Sequence, residues 1–301
     1  LISGSYCNNE VARVEQIVGS PVLWLSGSGS VSDARAHLRT GSPHDIVVVD
    51  GYGIERDWLE IERDGFQVVC VDDFADEPSD RWVVVNANLE SKALMALQHG
   101  RLLSASYDTR ALFGWQYALV GTSYRHARPV YTVRPSLERL GVSLGSGVSQ
   151  RVMAELVRAL ADIVREIPTI RIEIAGQSAA VIQVCKDHDL ESAIHFLPPA
   201  RSLLDFNLRQ DVVIGALGHG NWERMVLGVP TISLRTHENQ TSTPDLERAR
   251  VTRHLGSAHE VTARDLADAV LDLMPEAARF QLWSRARQAI DGRGVERVVD
   301  V

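Results

Sequence analysis

The chain has 301 residues, 45% hydrophobic and 23% charged, which suits a globular protein of one large or two ordinary domains with a real apolar core. A formal net charge of −8 argues against a nucleic-acid surface as its main business, while leaving room for a local basic pocket. Three cysteines without CxxC spacing indicate neither a zinc site nor a disulfide framework. No run of ~18 apolar residues and no signal peptide is visible, so no membrane span is predicted and the cytoplasm is the expected compartment.

In chain order, residues 1–2 read as the tail of a strand, 10–18 as a short helix and 22–25 as a strand closed by SGSGS. That run reads as a turn before it reads as a phosphate loop. A helix over 32–39 leads to a buried, parallel-type strand over 45–50 that ends in Asp50. The turn Gly51-Tyr52-Gly53 and a helix over 56–64 follow. Strands over 67–71 and 82–85 end beside Asp72-Asp73 and Asn86-Ala87-Asn88. Strand, polar loop and helix recur, which predicts an α/β domain with a parallel sheet. Asp50, Tyr52, Asp73 and Asn88 all fall just after strand C-termini, the edge where open parallel sheets hold ligands. Taken singly, each could instead cap a helix.

Residues 114–119 begin a transition, and the basic, two-proline stretch 124–135 reads as a linker. A second set of units opens with a strand over 140–144, the turn Gly145-Ser146-Gly147 and a long amphipathic helix over 150–167. A strand over 170–174 ends at Gly176; a helix over 181–188, a strand over 194–197 and a helix over 203–209 follow. The most informative stretch is 211–240. Val212-Val213-Ile214 is a β-branched strand, and residues 215–221 hold three glycines in seven. Asn221 reads as the N-cap of a helix to Leu227, stopped by Gly228 and Pro230, before a strand over 231–234. A strand feeding a glycine loop into a helix N-terminus can hold an anion, though the same pattern also makes a plain βαβ turn. Helices are predicted over 243–254, 263–273 and 277–290. The fold class is α/β, two Rossmann-like domains facing across a cleft: residues 1–125, a linker over 126–138, and residues 139–301, with the last helix returning towards the linker.

Several segments, in order and over most of the chain, carry a resemblance. They are 45–53 (DIVVVDGYG), 69–73 (VCVDD), 85–88 (VNAN), 117–119 (YAL), the loop 216–223 ending in Trp222-Glu223, and 291–298 (DGRGVERV). Together they resemble the hydrolase of the pseudaminic-acid pathway, which removes UDP from a diacetamido-trideoxy-altrose nucleotide sugar, and its spore-coat-polysaccharide relatives. The resemblance implies the two-domain GT-B architecture of the MurG-like superfamily. It implies a UDP-sugar, or another nucleotide sugar, as partner, and an acceptor sugar if the reaction is transfer. No cofactor is implied and no metal is expected, since Asp72-Asp73 is only superficially an Asp-x-Asp motif. The chain also departs from the family. A Gly-x-Gly-His segment with the catalytic histidine has no counterpart in residues 3–13, which carry Asn8-Asn9; it either lies upstream of Leu1 or is lacking. His219 replaces a small hydroxyl residue, and the Gly145 turn lacks the aspartate of Gly-Gly-x-Asp.

The resemblance assigns roles. Glu223 would accept from the ribose hydroxyls. The amides of Gly218, His219 and Gly220, with the dipole of the helix capped by Asn221, would hold the diphosphate. Gly145, Ser146 and Gly176 would lie on the nucleotide side, and Asn239 and Gln240 near the sugar or phosphate. Trp222 would pack beneath the loop. His219 would stabilise departing UDP as a cation or orient water as a base, unless it is an exposed spectator. Asp50, Tyr52, Asp73 and Asn88 would bind the sugar, with Asp50 or Asp73 as general base. The expected activity is UDP-sugar hydrolysis, with glycosyl transfer and catalytically silent binding as alternatives.

Overall fold

The structure is a computed structural model that describes residues 2–3, 24–25, 46–50, 67–71, 73, 83–88, 111–145, 148–176, 182, 185, 190, 192–198, 202–240 and 242–300. Two compact units are present, one drawn from Leu1–Ala87 and Ser91–Gly114, the other from Asn88–Glu90 and Trp115–Asp300.

In the first unit β1 (Ile2–Ser3) pairs parallel with β2 (Trp24–Leu25). Strands β3 (Ile46–Asp50), β4 (Gln67–Val71), β5 (Val83–Asn86) and β6 (Ala111–Phe113) form a parallel sheet in chain order. Val68, Cys70, Val84 and Val85 are buried, so Cys70 serves as the small core hydrophobe its apolar setting implies. β6 is absent from the sequence reading because three residues are too few to show a period; Gly114 ends it, donating to the Asn86 carbonyl (2.9 Å). The helices read over 10–18, 32–39 and 56–64, the SGSGS run and Tyr52 lie outside the described residues.

The second unit begins with a 3-10 turn (Trp115–Tyr117) and α1 (Thr122–Ala127), where the sequence reading began a linker at Tyr124. Then come β7 (Arg139–Ser143), α2 (Gln150–Glu166), β8 (Arg171–Ala175), β9 (Ile194–Leu197) and α3 (Leu204–Arg209). β10 (Val212–Ala216), α4 (His219–Leu227), β11 (Thr231–Arg235), α5 (Thr243–Ala249) and β12 (Arg253–Ser257) follow. The chain closes with α6 (Ala263–Leu271), α7 (Glu276–Ala289) and α8 (Gly294–Val299). The six strands lie in the order β9-β8-β7-β10-β11-β12, all parallel. The chain winds outward from β7 in one direction, returns to β10, and winds outward in the other. That doubly wound order opens a crevice at the C-terminal ends of β7 and β10.

Period-2 alternation sorts the side chains of these strands. Leu140, Val142, Val212, Ile214, Ile232 and Leu234 share one core with Leu156, Leu160 and Ile163 of α2 and Leu266 and Val270 of α6. Gly141, Val213 and Gly215 face the other way. A Cβ at Gly215 would stand 2.5 Å from the Arg224 guanidinium carbon, so this glycine makes room on the sheet for the Arg224 side chain.

Two boundaries differ most from the sequence reading. α4 starts at His219 with Gly218 as its N-cap, and Asn221 lies inside the helix, because the chain turns helical directly after the extended Gly218. The predicted helix over 243–254 is α5 followed by β12. Arg250 takes left-handed angles (φ 50°), which ends the helix, and the chain then pairs with β11.

Helix α7 is tied to the segment ahead of β7 through main-chain carbonyls. Arg279, fully buried, donates to the carbonyls of Leu273 (2.6 Å), Met274, Arg134 (2.8 Å) and Pro135 (2.9 Å). Arg287 donates to the Arg128 carbonyl (2.8 Å), and Arg128 donates back to the carbonyls of Arg287 and Ile290. Asp211 anchors the entry to β7, accepting from Arg134 (2.7 Å) and the amides of Glu138 and Arg139 (2.9 and 2.8 Å). The DGRG segment packs α8 onto the 3-10 turn: a Cβ at Gly294 would stand 2.1 Å from the Ala118 carbonyl oxygen.

Candidate functional site

The site is built from β10 outward. Val212–Ala216 is buried along its whole length and delivers Gly218 with extended angles (φ −76°, ψ −163°) to the start of α4. Among the described residues no side chain caps that helix. The Asn221 amide donates to the Gly218 carbonyl (2.8 Å). His219 and Gly220, its first two residues, have no carbonyl one turn back to receive their N–H groups. The helix dipole puts partial positive charge at the same point, so a negatively charged acceptor satisfies both.

These amides open on a pocket of about 310 Å³. Its described lining belongs to the second unit. Ser143, Leu144 and Gly145 come from the end of β7; Ala216, Gly218, His219 and Gly220 from the end of β10. Glu223 and Arg224 rise from α4, Thr236, His237 and Gln240 follow β11, and Leu203 precedes α3. The pocket therefore stands at the reversal of strand order.

Its walls carry both charges. Glu223 is half-buried, close to the hydroxyl of the buried Tyr124. Burial pushes that phenol well above its ordinary range; the Ser202 hydroxyl at 3.5 Å opposes the shift and the Glu223 charge adds to it. Arg224 is 1% exposed, with Nη2 donating to the Ala216 carbonyl (2.7 Å). Burial lowers its pKa to about 10, against the pull of Glu223 and Tyr124, so it remains a cation at neutral pH. Gln240 closes the loop after β11, accepting from the Thr236 amide (2.8 Å) and donating to the Thr236 hydroxyl (3.1 Å). His219 and His237 are exposed at the rim, and His237 Nδ1 lies 2.9 Å from Thr236 Oγ1.

The structure thus brings Gly145, Gly218, His219, Gly220, Glu223 and Gln240 to one pocket. Gly145 and Gly176 both take positive φ (77° and 97°) with no atom of the described residues within 4 Å of where a Cβ would be, but Gly176, at the end of β8, is not in the lining. Asn221 turns inward, its Nδ2 3.4 Å from Met225 Sδ. Trp222 is buried and lies 6.5 Å, centroid to centroid, from Trp115. Asn239 stands outside the lining; its carbonyl accepts from Asn88 Nδ2 (3.3 Å). Asp50 is exposed at the end of β3 and Asp73 half-buried just beyond β4, both in the first unit. Ser146 and Tyr52 lie outside the described residues. Among the described residues no group of three or more His, Cys, Asp or Glu is placed to hold a metal ion, and no helix is long and apolar enough to cross a membrane.

Sequence reasoning missed Arg224, Thr236, His237 and Tyr124. One signal was present: Arg224 follows Gly220 by one helical turn, and helical side chains lean towards the N-terminus.

No protein-family model and no curated protein matches the chain. Solved structures do. The UDP-GlcNAc 2-epimerase from Neisseria meningitidis, bound to UDP-GlcNAc, superposes with a TM-score of 0.63 at 12% identity, over 97% of this chain and 88% of that one. MurG of Acinetobacter baumannii superposes with a TM-score of 0.57 at 15% identity, over 96% and 93%. Phytolacca americana UGT2, complexed with UDP-2-fluoro-glucose and pterostilbene, superposes with a TM-score of 0.60 at 15% identity, over 91% and 78%. With its parallel sheets, the chain has the α/β fold of the GT-B proteins.

Proposed function

We propose that this chain is an enzyme acting on a nucleotide sugar, and that it releases the sugar from UDP by hydrolysis. The observation that carries the reading is an uncapped helix N-terminus, walled by a carboxylate, at the strand-order reversal of a doubly wound sheet. The names of like-folded structures, bound to UDP-GlcNAc and to UDP-2-fluoro-glucose, support the ligand class. In this reading the diphosphate lies against the amides of His219 and Gly220, and Glu223 accepts from the ribose hydroxyls. Gly145 leaves room for close backbone approach. His219 serves the leaving UDP or the attacking water. Asp50, Tyr52, Asp73, Asn88, Asn239 and Gln240 are assigned to the sugar, with Asp50 or Asp73 as general base. Water oxygen bonds to the anomeric carbon, the bond from that carbon to the phosphate oxygen breaks, the base takes the water proton, and UDP leaves with the bonding pair.

The experiment is incubation with UDP-, GDP-, CMP- and dTDP-sugars, with and without acceptor sugars. Free sugar and UDP in the absence of acceptor support hydrolysis. Turnover only with an acceptor overturns hydrolysis in favour of transfer, and saturable binding without turnover makes the protein a nucleotide-sugar binder.

A further inference from the structure

Two arginines are among the largest fully buried side chains, and they differ in how they are satisfied. Arg279 donates to four carbonyls. Arg224 makes one hydrogen bond among the described residues, from Nη2 to the Ala216 carbonyl, while the buried Nε of both arginines has no partner there. A guanidinium carries five donors. Glu223, the adjacent residue, acts on Arg224 through space and makes no ion pair with it. An isolated buried cation is costly unless something of opposite charge meets it.

The chain places this cation deliberately close to the pocket. Arg224 stands one turn beyond Gly220, and its side chain runs back beneath the loop. Its Nη1 lies 3.2 Å from where a Cβ at Gly220 would be, and its Cζ 2.5 Å from where one at Gly215 would be. Any side chain at Gly215 would therefore displace it. Arg224 is itself part of the pocket lining, together with the first two residues of α4.

We propose that Arg224 is the residue that receives the ligand's phosphate charge. The guanidinium supplies charged donors from beneath the loop, and the His219 and Gly220 amides supply neutral ones from its edge. The inference rests on the reading of the pocket as a nucleotide-diphosphate site and extends it, giving the site a buried side-chain cation beside the amides, the dipole and His219. It also couples ligand to fold: the phosphate meets at hydrogen-bond range a buried charge that Glu223 offsets only through space.

The test uses the full chain, calorimetry and thermal unfolding, with UDP and inorganic pyrophosphate as probes. Wild type is expected to bind both and to melt at higher temperature with either. Arg224→Met should bind both roughly 10- to 100-fold more weakly, as expected for lost hydrogen bonds to a charged group. Unliganded, it should melt no lower than wild type, because methionine fills similar space without a charge to bury. Arg224→Gln, neutral but able to reach the Ala216 carbonyl, answers the same question should the methionine variant fail to fold. In wild type, pyrophosphate should shift the Arg224 side-chain N–H resonances. Unchanged affinity in either neutral variant, or resonances that do not move, overturns the inference. If UDP binds equally well to wild type and variant, the nucleotide site stands and the role of Arg224 falls. If pyrophosphate binds in an Arg224-dependent way and UDP does not bind, the role of Arg224 stands and the nucleotide reading falls. If neither probe binds wild type, both fall.

Discussion

Glu223 stands half-buried in the pocket wall near the Tyr124 hydroxyl, and in the proposed nucleotide site it accepts from the ribose hydroxyls. Replacing it by alanine should weaken UDP binding by about 1–3 kcal/mol, measured by calorimetry, since hydrogen bonds to a charged group go unmade. His219 projects from the rim, exposed, and holds no core packing. His219→Ala should therefore leave the melting temperature where it is. It should lower kcat with little change in KM if the imidazole assists departure of UDP; a change in KM alone would reduce it to part of the lining. Glu223 and the glycines were legible in the sequence because their relation is local: strand, loop and first helical turn fix one another within a dozen residues. Arg224 was missed although its one-turn spacing from Gly220 was there to read; Tyr124 and His237 were not legible. Tyr124 reaches Glu223 only because α1 packs on α4, and His237 arrives with the loop that Gln240 closes. Neither event leaves a mark on nearby spacing.

At the level of elements, β10 and β11 announced themselves by β-branched runs, whereas β12 did not. Its sequence is RHLGS, Gly256 takes φ 90°, and the register shifts within the β11–β12 ladder, so alternation is broken where it would show. The strand is held partly by polar side chains: Ser233 Oγ meets Thr252 Oγ1 (2.8 Å) and His254 Nδ1 (3.1 Å). α7 hid its anchor in a similar way, since an arginine in a helix usually reads as solvated. Arg279→Met should cost about 3–5 kcal/mol in urea unfolding, because four carbonyls, one of them buried and three part-buried, lose a charged donor. α8 offers a pH test. Arg297 donates to both oxygens of Asp291 (2.7 and 2.6 Å), and that hydrogen bonding, first among the causes, holds the Asp291 carboxyl at about 2, below its usual 3.8. A depressed carboxylate stabilises the fold above its unfolded pKa and loses that contribution as pH falls. The clamp should weaken between pH about 4 and about 2, seen as faster amide exchange in α8. Asp291→Asn should show the faster exchange already at pH 7 and lose the acid step.

For the whole molecule, the described pocket lining comes from the unit that runs from Trp115 to Asp300. A fragment of residues 115–300 is expected to fold and to bind UDP; failure to bind while folded would show that the nucleotide needs residues from elsewhere in the chain. The net charge of −8 opposes an anionic ligand at long range, but screening beyond ~8 Å at physiological salt leaves the local donors in control, so UDP affinity should change little when salt is raised above that level. α/β class and the parallel order of the strands were legible because βαβ units repeat; the reversal at β7 and β10, which makes the pocket, depends on which strands pair and is invisible to local pattern. One further consequence follows from the arginines of α7. Arg279 bonds to the carbonyls of Pro135 and Met274, and every amino acid carries a carbonyl. The specificity of that joint is therefore written on one side only. Position 279 should tolerate almost nothing in a saturation library, while the exposed side chains at 135 and 274 should vary freely, so that related chains could drift at the acceptor positions without any compensating change at the donor.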